Sequence, residues 1–157
     1  MVESGERTLQ RGQTIPDFTL LDINGETVSS RSVYMRRNHV VALLPESAEP
    51  CWNEWLTLLS AAVHSIPDRD VACFMIFPEG WREEITDLYS NGNQVKLLID
   101  RDRSVGNRFG HDRSEGTLII ADRYGDIFHI ASGGPKTPEL DPSEIPDWIE
   151  FIACRCS

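Results

Sequence analysis

Apolar residues follow two different periods along this chain, and the change between them marks the elements. His39-Val40-Val41-Ala42-Leu43-Leu44 is a run of aliphatic and β-branched residues with little polar interruption, the pattern of a buried strand. Val71 to Phe77 is apolar throughout and predicts a central strand covered on both faces. Val95–Ile99, Thr117–Ala121 and Ile127–Ala131 read as further strands, the last two joined through Arg123-Tyr124-Gly125 as a hairpin. From Trp52 the spacing becomes helical: Trp52, Trp55, Leu56, Leu59 and Val63 share one face of a helix over residues 50–64, with Pro50 at its start. Trp81, Ile85 and Leu88 predict a second helix from Gly80 to about Ser90, stopped by Asn91-Gly92-Asn93. Asp102 to Phe109 predicts a short helix closed by Gly110. Ile145, Trp148, Ile149 and Ile152 predict a last helix beginning near Pro142.

Upstream, Ile15 to Ile23 and Glu26 to Ser29 flank Asn24-Gly25, a hairpin signal. Residues 1–12 are expected to form a loose polar arm, and 13–157 a single domain long enough to bury a core. Strand–helix alternation followed by a late hairpin implies an α/β fold with a mixed central sheet flanked by helices and an N-terminal β-hairpin extension.

Charge narrows the function. A formal net charge of −10 argues against a nucleic-acid surface, which needs a basic stripe; Arg36, Arg37 and His39 form only a small basic cluster, read as a solvated edge. No apolar run approaches the ~18 residues of a membrane span. The polar N-terminus lacks the apolar core of a secretory signal, so a cytoplasmic location is expected. The four cysteines, at 51, 73, 154 and 156, are too scattered for a disulfide framework. No cofactor is expected, and no metal, because the C-x-C pair at 154 and 156 supplies half of the four ligands a structural zinc wants. The histidines have no ligand spacing, and the four tryptophans sit on helical apolar stripes as core residues.

One position offers chemistry. Cys51 falls in the first turn of a helix just after a strand end, where the helix dipole favours an anion and therefore a reactive thiol. Cys73 lies in a buried strand and reads as a small core residue. Cys154 and Cys156 stand two residues apart, about 200° around a helix, and cannot face one pocket while that segment is helical.

Four stretches carry a resemblance. GQTIPDFTLLDINGETV (Gly12–Val28), the C-x-x-E of Cys51 to Glu54, LLIDRDRSVGNRFG (Leu97–Gly110), and Thr117 to Ile127 ending DRYGDI resemble, in order, the peroxiredoxin-like family of alkyl hydroperoxide reductases and thiol-specific antioxidants. The resemblance implies a thioredoxin-like fold and a cysteine-dependent peroxidase. Cys51 would be the peroxidatic thiol and Arg113 the cation beside it. Cys154 or Cys156 would be a candidate resolving thiol. The partners would be a peroxide substrate and a thiol reductant, with a homodimer as a possible assembly.

Two departures are visible. The family places proline seven and threonine or serine three residues before its cysteine, where this chain has Leu44 and Ala48. A dithiol reductase would need a cysteine at Ala48 and a proline at Gly116, and has neither. The alternative is a redox-silent thioredoxin-fold module that binds a partner or serves structure.

Overall fold

The computed structural model describes residues 9–85 and 94–156, with nothing said of the Cys156 side chain. The strands are β1 (Thr19–Asp22), β2 (Thr27–Ser29), β3 (Asn38–Leu43), β4 (Val71–Pro78), β5 (Val95–Asp100), β6 (Gly116–Ala121) and β7 (Ile127–Gly133). The helices are α1 (Cys51–His64), α2 (Arg82–Ile85), α3 (Ser104–Phe109) and α4 (Ile145–Cys156). All seven strands join one sheet in the order β2-β1-β5-β4-β3-β6-β7. The β3, β4 and β5 strands run parallel, while β6 and β7 add an antiparallel hairpin at one edge and β1 and β2 another at the opposite edge. The sheet is therefore mixed, as its alternation implied.

Pleating divides the core. Side chains alternate across a strand, so Val40, Ala42, Cys73, Met75, Phe77, Leu118 and Ile120 face one side. There the stripes of α1 and α4 cover them through Trp55, Leu56, Leu59, Ile145, Ile149 and Ile152. Val41, Leu43, Phe74, Ile76 and Ile119 face the other side, under Phe18, Val105 and Phe109. β4 is buried at all eight positions, which is why it reads as continuous apolar sequence. Cys73 lies inside it at 0% exposure, and burial pushes its thiol pKa far up.

Several ends are fixed by single groups. Asp22 accepts from the amides of Asn24 and Glu26 and closes the β1–β2 turn. The buried Asp100 carboxylate accepts from Val105 and Gly106 and so caps α3 from the strand before it. Gly110, at φ 69°, ends that helix in the left-handed region that suits glycine.

Differences from expectation are local. The strand expected from Ile15 pairs only from Thr19. Pro50 is the cap of α1 and Cys51 its first residue. The last helix is preceded by a 3₁₀ turn at Pro142–Glu144. The expected helix from Gly80 is a 3₁₀ turn at Glu79–Trp81 running into α2, and its remainder and stop signal lie outside the described residues. So do residues 1–8 of the expected arm. From Leu9 the chain lies on the protein: Leu9 packs on the second core, and the Gly12 amide donates to the Ile127 carbonyl at 2.9 Å.

Candidate functional site

Cys51 is reached from the carboxyl end of β3, where an open α/β sheet characteristically binds ligands. Residues 44–50 bridge strand and helix, and bonds from neighbouring segments hold that bridge. Leu44 donates its amide to the Ile76 carbonyl at 3.0 Å. The buried Trp81 indole donates to the Pro45 carbonyl at 2.6 Å. No side chain caps α1; the amides of Trp52 and Asn53 close 3₁₀-type bonds on Glu49 and Pro50 instead. What α1 offers an anion at Cys51 is therefore mainly its dipole.

The thiol is exposed and borders a cavity of about 230 Å³. Glu54, Trp55 and Leu58 form its helix wall, and Pro135, Lys136 and Thr137 its opposite wall. One bond ties the helix to the loop that follows that wall: the buried Trp55 indole donates to the Leu140 carbonyl at 2.8 Å. Trp55 lies one turn from Cys51 on the same face, so the residue that orders the far wall also flanks the thiol. Lys136 thus shares a cavity with Cys51, and nothing in the sequence pointed to it: Gly133 to Pro138 reads as a linker before a helix. Its position depends on a contact spanning 85 residues.

Arg113 is brought to the bridge. Its carbonyl accepts from the Glu46 amide at 2.8 Å, and its Nε stands 3.7 Å from the Glu46 carboxylate. The ion partner the fold gives Arg113 is Glu46.

Trp52 decides what lies beneath. Its indole is buried, edge-on to Trp55 at 5.2 Å, and lies over Gly116. A Cβ at Gly116 would come within 2.4 Å of that ring. Where a dithiol reductase carries proline, this chain has tryptophan filling the space that glycine leaves.

Cys154 is exposed near the end of α4. The residues before it, Ile152 and Ala153, border a cavity with Arg69 and Asp70, beyond the far end of α1. A helix of that length spans about 20 Å, and a disulfide needs Cα atoms within ~7 Å. The fold therefore places Cys154 and Cys51 at opposite ends of the molecule. Among the described residues, no group of three His, Cys, Asp or Glu could hold a metal.

These features define an α/β protein with an exposed thiol opening the long helix that follows the first parallel strand. The comparisons agree on its architecture. No family model matches the sequence, and no curated protein sequence does. Among solved structures, the chain is similar to a thiol peroxidase from Chromobacterium violaceum at 14% identity and TM-score 0.66, covering 96% of this chain and 89% of that one. It is similar to a peroxidoxin from Mycobacterium tuberculosis at 15% identity and TM-score 0.63, covering 95% and 99%. An exposed lipoprotein thioredoxin from Streptococcus pneumoniae matches at 14% identity and TM-score 0.65, covering 87% and 99%. The fold is thioredoxin-like.

Proposed function

We propose that this chain is a thiol oxidoreductase acting through Cys51, and that its substrate is a peroxide. The observation that carries the reading is the placement of an exposed thiol on the first residue of α1, beside a cavity whose far wall holds Lys136. The Cys51 sulfur would attack one peroxide oxygen. An S–O bond forms, the O–O bond breaks, and the departing oxygen leaves as water or alcohol after taking a proton. The sulfur is oxidised by two electrons to a sulfenic acid. A thiol then attacks that sulfur, releasing water and leaving a mixed disulfide. A second thiol frees Cys51.

Peroxide chemistry is preferred to dithiol exchange because Ala48 stands where a second thiol would be needed and Trp52 covers Gly116. With Cys154 and Cys156 both in the last turn of α4, at the other end of α1, and Cys73 in the core, the reductant is an external thiol, as a cytoplasmic setting would supply. Arg113 would act through Glu46, neutralising a carboxylate on the bridge, while Lys136 supplies the cation beside the cavity. The assay is peroxide consumption with a small-molecule thiol as reductant. Turnover is expected in the parent chain and lost in Cys51→Ser. Equal rates in both would overturn the reading.

A redox-silent module remains the second reading. It is favoured by one observation: the arginine expected at the thiol is paired with Glu46.

A further inference from the structure

At the opposite end of the sheet from Cys51, three arginines from three separate turns border a cavity of about 260 Å³. Arg36 lies in the turn before β3, Arg69 between α1 and β4, and Arg123 in the β6–β7 hairpin. Sequence separates them widely; the backbone brings them together. The Met35 amide donates to the Arg123 carbonyl at 2.7 Å, which ties the first turn to the third. Asn38 donates both its amide and its side-chain nitrogen to the Asp70 carbonyl, at 3.0 and 3.1 Å, which ties the first to the second. Met35 adopts φ 69° to make its turn, the left-handed region that non-glycine residues rarely enter.

The guanidinium groups are available. Arg36 and Arg123 have no carboxylate partner among the described residues, and Arg123 instead lies over the Tyr124 ring at 5.3 Å. Among the described residues, Arg69 has only its neighbour Asp70, at 4.0 Å. Three cations and the one carboxylate bordering the cavity leave a local formal charge of +2 in a chain of net −10. A phosphomonoester carries about −1.5 to −2 at pH 7, and guanidinium forks match its oxygens geometrically. The surrounding negative field disfavours an extended polyanion, so the partner is a small one. The volume lies below the ~300–1,000 Å³ typical of drug-sized ligands. Ile152 and Ala153 of α4 give the cavity an apolar wall.

We propose that this cavity binds a small organic phosphomonoester, its phosphate between Arg36, Arg69 and Arg123 and its apolar body against Ile152 and Ala153. The site is remote from Cys51 and does not depend on the redox reading.

The test is calorimetric titration of the full chain with phenyl phosphate, inorganic phosphate and succinate. Phenyl phosphate is expected to bind saturably at a single site, at least threefold tighter than inorganic phosphate and tenfold tighter than succinate. Arg36→Gln with Arg123→Gln, both at solvent-facing positions, should weaken it at least tenfold with an unchanged circular dichroism spectrum. Rising ionic strength should weaken it further. Absence of saturable phenyl phosphate binding, or affinity unchanged in the double variant, would overturn the proposal. Equal affinity for inorganic phosphate would overturn its apolar half, and equal affinity for succinate its phosphate half.

Discussion

Gly116 and Trp52 form a tight packing constraint beneath the start of α1. The indole leaves no room for a methyl at residue 116, and it is wedged against Trp55, so it cannot swing away without disturbing α1. Gly116→Ala is therefore expected to destabilise by about 1–3 kcal/mol, the usual cost of overpacking, read as a lower urea midpoint at unchanged slope. An unchanged midpoint would mean that the ring moves freely. Trp55 carries two loads, packing and a tether. Trp55→Ala should cost roughly 3–5 kcal/mol. Trp55→Phe keeps most of the packing but removes the N–H to Leu140, and should cost about 1 kcal/mol. Similar losses in both variants would show that the tether, not the packing, dominates. The burial of Trp55 was legible from the stripe it shares with Leu56 and Leu59. The carbonyl it reaches was not, because a hydrogen bond to a distant loop leaves no period in the sequence.

The same division holds between elements. β4 and α1 were legible because their burial imposes a pattern, continuous for a two-sided strand and 3.6-residue for a one-sided helix. The loop that puts Lys136 opposite Cys51 has no such pattern, and neither does the pairing of β1 with β5 that attaches the N-terminal hairpin to the sheet. Loop-to-loop charge pairing was likewise hidden: the resemblance singled out Arg113, but nothing in the sequence pointed to its pairing with Glu46. This pairing is testable. Arg113→Ala should slow Cys51 oxidation severalfold by leaving Glu46 unneutralised, and adding Glu46→Gln should restore the rate. If the double variant stays as slow as the single one, Arg113 acts on the thiol or substrate directly.

Two histidines, His39 buried in β3 and His111 half-buried in the loop before β6, make stability depend on pH. His39 in β3 is bonded through Nδ1 to the Asp122 carbonyl at 2.9 Å, and burial lowers its pKa below the ordinary ~6.5. His111 is bonded to the Glu115 carbonyl at 2.6 Å and is lowered by burial and by Arg103. Between the lowered folded value and ~6.5 the unfolded chain binds more protons, so stability falls as pH falls through that window. The urea midpoint should be lower at pH 5.5 than at pH 7.5, with a smaller drop in His39→Gln. A midpoint that is flat or rises towards acid would contradict this.

Across the whole molecule, the sheet separates two ends. At the carboxyl ends of the parallel strands lie Cys51, its bridge and its cavity; at the other end lie the arginine turns and the last turn of α4. Sequence order could show which helix each cysteine belongs to but not which end each would reach, because that depends on how α4 crosses the sheet beside α1. The separation makes the redox account specific: one thiol reacts, and its reductant comes from outside. The direct measurement is peptide mass spectrometry after a brief stoichiometric peroxide pulse, with a sulfenic-acid trap present. The account predicts the trapped adduct on Cys51 first, with Cys73 unmodified and the C-terminal thiols slower. Cys51 left reduced while Cys154 or Cys156 oxidises would contradict it.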